Sequence, residues 1–305
     1  MRILITGASG FIGKALCGDL LGRGHQISAL VRRPGSQPPG SEAVAGDLSD
    51  AVRLTQAISE SRPECVVHLA AEIASQRSAA KVHEVNVAGT QRLIDACRAL
   101  GDSAGHTPRL VFASTVVTGD AGGALLSEAQ PLPVRTPYGR SKQEGERIVL
   151  ESGLAAVVVR PSHVYGPGGW YAEELVARLR QPGRFAVIGR GENLWDVVHV
   201  DDVVSALALA VEAAPAGSTY HVVDDEPISY YDFMALTAAT LGVGRPRSIP
   251  VMLARVVAGA NAVDAVLRSA RSSNAKIKDE LGWRPRFASA RDGVPDAITR
   301  LSAGV

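Results

Sequence analysis

Apolar positions over the first two-thirds of the chain come in two alternating kinds. Short continuous runs (Arg2–Thr6, Gln26–Val31, Glu42–Ala45, Cys65–Leu69, Arg109–Ala113 and Ala156–Arg160) have the length and branched composition of buried strands. Between them, stretches near 11–22, 50–60, 76–100 and 138–152 repeat apolar residues at helical spacing. Strand, helix, strand at this rhythm predicts a doubly wound parallel α/β sheet, with ligands at the carboxyl ends of the strands. After Pro161 the rhythm breaks. Pro167-Gly168-Gly169 reads as a loop and Glu173–Arg180 as a short helix. Val203–Ala214, Tyr230–Leu241 and Val251–Leu267 read as further helices, with short strands at Phe185–Ile188 and Thr219–Val223. The expected organisation is a main domain over 1–165, with returning segments near 190–225, and a smaller substrate-binding lobe over most of 166–305.

The first strand runs into Gly7, Gly10 and Gly13 and then into a helical pattern. A glycine turn opening a helix presents backbone N–H groups at the positive end of the helix dipole, where a pyrophosphate can sit. Gly7 would allow the tight turn, Gly10 the approach of a dinucleotide, and Gly13 close packing of helix on strand. The spacing is G-x-x-G-x-x-G rather than G-x-G-x-x-G, so taken alone the triplet also fits an ordinary glycine-rich loop.

The 305 residues are 46% hydrophobic but only 5% aromatic, which fits an α/β core of Val, Leu, Ala and Ile. A net charge of +1 gives no sign of a nucleic-acid partner. No signal peptide and no membrane span is read from the sequence, and a cytoplasmic protein is expected. Cys17, Cys65 and Cys97 lack paired or ligand-like spacing and are expected in the core; the scattered histidines indicate no metal site.

Two further patterns carry chemistry. Tyr138 and Lys142 stand four residues apart at the start of a helical stretch, on one face. A neighbouring ammonium, with a cationic nicotinamide, would lower the tyrosine pKa and let it exchange a proton with a substrate oxygen. Ser114 lies where the apolar strand Arg109–Ala113 runs out, placed to hydrogen-bond that oxygen. Each pattern alone also fits a plain surface pair or a strand-end hydroxyl.

Together these residues resemble the extended short-chain dehydrogenase/reductase superfamily, the NAD-dependent epimerase/dehydratase group. The resemblance runs from Thr6–Gly13 through Gly46-Asp47-Leu48, His68–Ala71, Asn86–Thr90, Ser114, Tyr138/Lys142, Arg160–Pro167 and Val198–Asp202 to Leu281–Pro285. It implies a Rossmann-type sheet in which Gly7, Gly10, Phe11, Ile12 and Gly13 cradle the pyrophosphate. Asp47 would bind the adenine amino group, with Leu48 beside the ring, and Ala70 and Ala71 would line the cofactor channel. Tyr138 would be the acid/base, Lys142 would hold the nicotinamide ribose and tune Tyr138, and Ser114 would orient the substrate. Asn86 would position the helix or a water behind the site, and Pro161, Ser162 and His163 would lie near the nicotinamide. For Asn86, Asp201 and Asp202 a purely structural role fits equally well. A homodimer pairing the helices near 76–100 and 138–152 is implied, although Ala79, Ala80, Val87, Ile148 and Val149 can equally face the sheet.

The second strand ends in Arg32-Arg33, where NAD-selective sheets carry an acid. Arginine suits a 2′-phosphate, so NADP(H) is expected over NAD(H), with Arg32 as the contact. Sugar-nucleotide enzymes of this group usually carry Asn at the position of His163 and Arg at that of Trp195. With those contacts missing, Tyr165, Trp170, Phe185 and Trp195 are expected to line a less polar pocket. The expected function is NADP(H)-dependent interconversion of a carbonyl and a secondary alcohol on a small molecule. The alternatives are a sugar-nucleotide epimerase, dehydratase or keto-sugar reductase, or an idle dinucleotide sensor or assembly factor.

Overall fold

A computed structural model of the chain describes residues 1–73, 76, 78–181, 183 and 185–304. Seven parallel strands form its centre: β1 (Arg2–Thr6), β2 (Gln26–Val31), β3 (Glu42–Ala45), β4 (Cys65–His68), β5 (Arg109–Ala113), β6 (Ala156–Pro161) and β7 (Thr219–Val222). Their order is β7-β6-β5-β4-β1-β2-β3. All six pairings are parallel, so the carboxyl ends share one edge. The order reverses between β1 and β4, the crevice where such sheets bind ligands.

Two helical layers cover the sheet. On one face, α1 (Phe11–Gly22) packs with α6 (Val200–Glu212) over Ile3, Ile5, Val67, Val111 and Val157. On the other, α2 (Ala51–Ser61), α4 (Gly89–Ala104) and α5 (Pro137–Leu150) cover Leu4, Val66, Leu110, Phe112 and Val158. Strands buried on both faces need no polar alternation, which explains their continuous apolar runs. Each fully buried Val, Leu or Ile contributes roughly 1.5–3 kcal/mol relative to exposure. A third core, around Tyr165, Tyr171, Trp195 and Phe233 of α7 (Tyr230–Thr240), holds the C-terminal portion together. Cys17, Cys65 and Cys97 are buried and unpaired.

Several elements depart from the pattern expected above. The stretch 76–100 is not one helix: α3 (Ala79–His83) is followed by a π-turn over Glu84–Ala88 before α4, and Arg77 lies outside the described residues. The wider turn is held around Asn86, whose side chain bonds away from the helix. The helix near 173–180 begins earlier, as a π-turn over Tyr171–Val176. Val251–Leu267 is likewise broken, into α8 (Val251–Ala258) and α9 (Ala260–Leu267), by Gly259 at φ +85°. Between Ile249 and Leu267 the chain exposes Met252, Leu253, Val256 and Val257. Val149 and Val87 are buried within the chain, Ile148 is partly covered by its core, and Ala79 and Ala80 are exposed. Among the described residues no helix is long and apolar enough to cross a membrane.

Candidate active site

The glycine turn sits at the carboxyl edge of β1. Gly7 is left-handed (φ +71°), and a Cβ there would stand 2.7 Å from the Ala70 nitrogen. Gly13 lets the helix close onto the end of β1: a Cβ there would stand 2.2 Å from the Gly7 oxygen and 2.7 Å from Ala8 Cα. Gly10 precedes α1 and supplies no side-chain cap, so the first N–H groups of the helix stay available. A Cβ on Gly10 would meet only the Gly7 oxygen, at 3.2 Å. Uncapped N–H groups beside an open backbone fit a dinucleotide pyrophosphate. Ile12 lies in the same first turn of α1. The ring of Phe11 is covered by the next loop: side chains on Gly166, Gly168 or Gly169 would strike it at 2.7–3.1 Å or strike Val200 beside it. The glycines of this loop seat it on the turn before α1, a tertiary contact that the local sequence pattern does not show.

Behind the turn runs a directional chain of hydrogen bonds. Ala70 N–H donates to Thr6 Oγ1 at 3.2 Å, and Thr6 Oγ1 lies 2.7 Å from His68 Nδ1. His68 Nε2 lies 2.9 Å from Thr90 Oγ1, which donates to the Asn86 carbonyl at 2.7 Å. With Thr90 donating onward, Nε2 must carry the histidine proton and Nδ1 accepts from Thr6. Burial and then the Lys142 charge depress the His68 pKa to about 3, so this tautomer stays neutral. Asn86 continues the network. Its Oδ1 accepts from Glu72 N at 2.7 Å, and its Nδ2 donates to Glu72 O at 3.0 Å and Ser141 Oγ at 2.9 Å. The asparagine thus ties the β4 loop to α5.

Thr136 caps α5, accepting from Gly139 N at 3.0 Å, and Pro137 opens the helix. Gly145 lets α5 approach β5: a Cβ there would lie 2.8 Å from Phe112 Cζ. This contact brings Lys142 over the Phe112 ring, 4.3 Å from its centroid, where Nζ donates to the Ala113 carbonyl at 2.5 Å. Ser114 follows Ala113 directly. It is buried, and its Oγ has no partner among the described residues. Tyr138 is half-buried one turn before Lys142. Burial pushes its phenol up to about 12. The Lys142 ammonium donates to Ala113, and burial pulls it down to about 8 against the opposing influence of Glu146. Glu146 itself is locked by Arg160, at 2.9 and 2.5 Å.

At the adenine end, Ser49 N and Oγ both bond Asp47 Oδ1 at 2.8 Å, holding that carboxyl below the usual range. Leu48 is buried beside it. Arg32 is exposed at the end of β2, close enough to help depress Asp47 and Glu72. Ala70 and Ala71 are half-buried after β4.

Across the cleft, the Pro161 carbonyl accepts from Val116 N and Thr115 Oγ1 at 3.1 and 3.0 Å. His163 Nδ1 donates to the Asp196 carbonyl at 3.1 Å, and its ring stacks on Trp195 with centroids 4.3 Å apart. Burial and Arg268 lower its pKa to about 3. Tyr165 and Trp195 are core residues of the third cluster rather than open pocket walls. Tyr165 is wholly buried, and Trp195 donates to Val266 O at 3.1 Å. Trp170 and Phe185 are partly buried against the same cluster, and Trp170 donates to Val164 O at 2.8 Å.

Comparison with known proteins gives this geometry a family. The family model described as "NAD dependent epimerase/dehydratase family" matches residues 3–223. The chain belongs to that family. It is 34% identical to a 3-diazoavenalumate denitrifying reductase of a Streptomyces species, over 96% of this chain and 99% of that protein. It is 33% identical to a 2-alkyl-3-oxoalkanoate reductase of Stenotrophomonas maltophilia, over 80% and 77%. Among solved structures, a Thermus thermophilus UDP-glucose 4-epimerase in complex with NAD is similar at TM-score 0.82 and 28% identity, with both chains fully covered. The family member described here is an NAD(P)-dependent oxidoreductase of the extended short-chain dehydrogenase/reductase type.

His199, Asp201 and Asp296 also cluster closely enough for a metal. Arg300 already fills that cluster, 2.8 Å from Asp201 and 3.2 Å from Asp296, so it reads as an ion-pair network.

Proposed function

We propose that the protein reduces a carbonyl on a small, non-nucleotide molecule with NADP(H), and that Ser114, Tyr138 and Lys142 carry the proton chemistry. When bound, the dinucleotide supplies the hydride. The observation that supports the reading is the buried Ser114 hydroxyl, without a partner among the described residues and directly after Ala113, whose carbonyl holds Lys142. A neutral phenol is what reduction needs. Ser114 Oγ–H hydrogen-bonds the carbonyl oxygen, and Tyr138 Oη gives its proton to that oxygen as negative charge develops there. Lys142, held by Ala113 and Phe112, fixes the ribose side and offsets the phenolate left behind.

Arg32 favours NADP(H): its guanidinium stands exposed at the end of β2, where an acid would repel the 2′-phosphate. The two sequence relatives named above are both reductases, and both act on compounds named as carboxylates. The positions that would grip a sugar nucleotide are committed inside the protein, His163 to Asp196 and Trp195 to Val266. A cytoplasmic homodimer, with a main domain over 1–165 and a substrate lobe over most of 166–305, completes the proposal.

A second reading, reductive removal of nitrogen from a diazo group, is favoured by the near full-length match to the denitrifying reductase. One screen tests both. Ketones, keto acids, an aryl diazonium salt and UDP-sugars are incubated with NADPH or NADH, and cofactor oxidation is followed. Net NADPH consumption with ketones or keto acids is expected. Dinitrogen release from the diazonium alone selects the second reading. Conversion of UDP-sugars without net cofactor use overturns both.

A further inference from the structure

We infer that Arg268 is a receiver for a carboxylate on the substrate, which deepens the proposed reductase reading and rests on it. Arg268 follows α9 and is 3% exposed. Its Nη1 donates to the carbonyls of Val116 and Gly119, both at 3.3 Å, in the segment that continues from Ser114. Nε and Nη2 have no partner among the described residues. These two nitrogens form the side-on edge of a guanidinium, with two parallel N–H bonds spaced to meet both oxygens of a carboxylate. The end of the group is anchored, and the buried fork is without a partner among the described residues.

The surroundings fit a receiving role. Burial pulls the Arg268 pKa down to about 10, with Asp196 and Asp120 opposing, so the group remains a cation at neutral pH. Asp196 forms no ion pair with it within 4 Å, and its buried Oδ2 is also without a partner among the described residues. Asp120 is spent on Ser269 N and Gly122 N, at 2.9 and 3.0 Å. A buried cation with an unfilled fork costs stability unless something fills it. His163 lies within the field of Arg268 and is itself beside the strand ends that carry Ser114 and Pro161. With Nη1 held by Val116 and Gly119, just past Ser114, the guanidinium is anchored at the same end of the sheet as the reacting groups. Its backbone frame is fixed independently, by Asn193 Nδ2 donating to the carbonyls of Val266 and Arg268 at 3.0 and 2.9 Å.

The test compares acids with their primary amides, which keep the shape but lose the charge. 4-Acetylbenzoate and levulinate are each set against the corresponding amide. Binding is measured to the NADP⁺ complex, in which no ketone reduction occurs. Wild type should bind each acid at least about tenfold more tightly than its amide. Arg268→Gln should erase that ratio by weakening the acid alone, and Arg268→Lys, a cation without the fork, should restore part of it. Unchanged NADP⁺ affinity in both variants certifies the fold. Equal binding of acid and amide by wild type, no binding of either, or a ratio that survives Arg268→Gln overturns the inference. Turnover of the amides with NADPH is read separately: reduction of the amides together with a lost acid preference sinks the carboxylate receiver and leaves the carbonyl reductase standing.

Discussion

The floor of the cleft and its roof treat buried polar atoms in opposite ways. On the floor, Thr6, His68, Thr90 and Asn86 pass hydrogen bonds in one direction from the Ala70 amide onward. On the roof, Asp196, Arg268 and Ser272 each leave a buried polar atom without a partner among the described residues. Both regions are dry enough to move pKa values by burial: His68 to about 3 on the floor, Asp196 up to about 6 on the roof. The difference lies in closure. A completed chain holds its shape with nothing added, whereas an incomplete one gains stability when a ligand supplies the missing partner.

This contrast can be broken most severely where the two regions meet. Tyr138→Phe should lower kcat/KM by about 10²–10⁴-fold with dinucleotide affinity retained, because only the transferable proton is lost. Full activity in that variant would remove Tyr138 from the proton transfer. Next comes Gly13→Ala on the floor. The added Cβ would collide with the Gly7 oxygen, so a loss of about 1–3 kcal/mol and failure to bind NADPH are expected in denaturant and fluorescence titrations.

His68→Leu tests closure itself. It leaves the Thr6 O–H without an acceptor and takes one donor from Thr90, at a cost of about 1–3 kcal/mol in all, while kcat/KM of the folded fraction stays near wild type. The pH dependence has a definite sign. His68 has its folded pKa depressed from 6.5 to about 3, so in acid the unfolded chain takes the proton first. Its contribution to stability is complete above pH 6.5 and drains between pH 6.5 and 3, by about 1.4 kcal/mol per pH unit. Urea titrations across that window should show this component in wild type and not in His68→Leu. The smallest effect belongs to the exposed rim. Arg32→Ala should reduce the NADPH-over-NADH preference by about tenfold without altering the melting temperature; equal inhibition of both proteins by 2′,5′-ADP would remove Arg32 from the cofactor site.

Much of the floor could be read from residue order alone. β1, β2, β3 and β5 span the expected residues because strands buried on both faces are written as unbroken apolar runs. Tyr138, Lys142 and Ser114 were legible for a related reason: helix spacing and a strand end fix their positions locally. The roof was not legible. Arg268 looks like any basic residue between Leu267 and Ser269, and only the tertiary fold closes over it. The break at Gly259 was hidden by apolar spacing that continues across it, and the π-turn at Glu84–Ala88 by the same spacing. Adjacency along a helix also does not say where an ammonium is bonded: one Lys142 N–H goes to the Ala113 carbonyl.

Cys17 lies in α1 beneath one face of the sheet, Cys65 begins β4, and Cys97 sits in α4 on the other face. Burial raises their thiols to about 11, 12 and 12, so almost no thiolate exists at neutral pH while the layers stay shut. The polypeptide thus carries three native reporters, and alkylation by a coloured maleimide would time the opening of each layer without any label being engineered in.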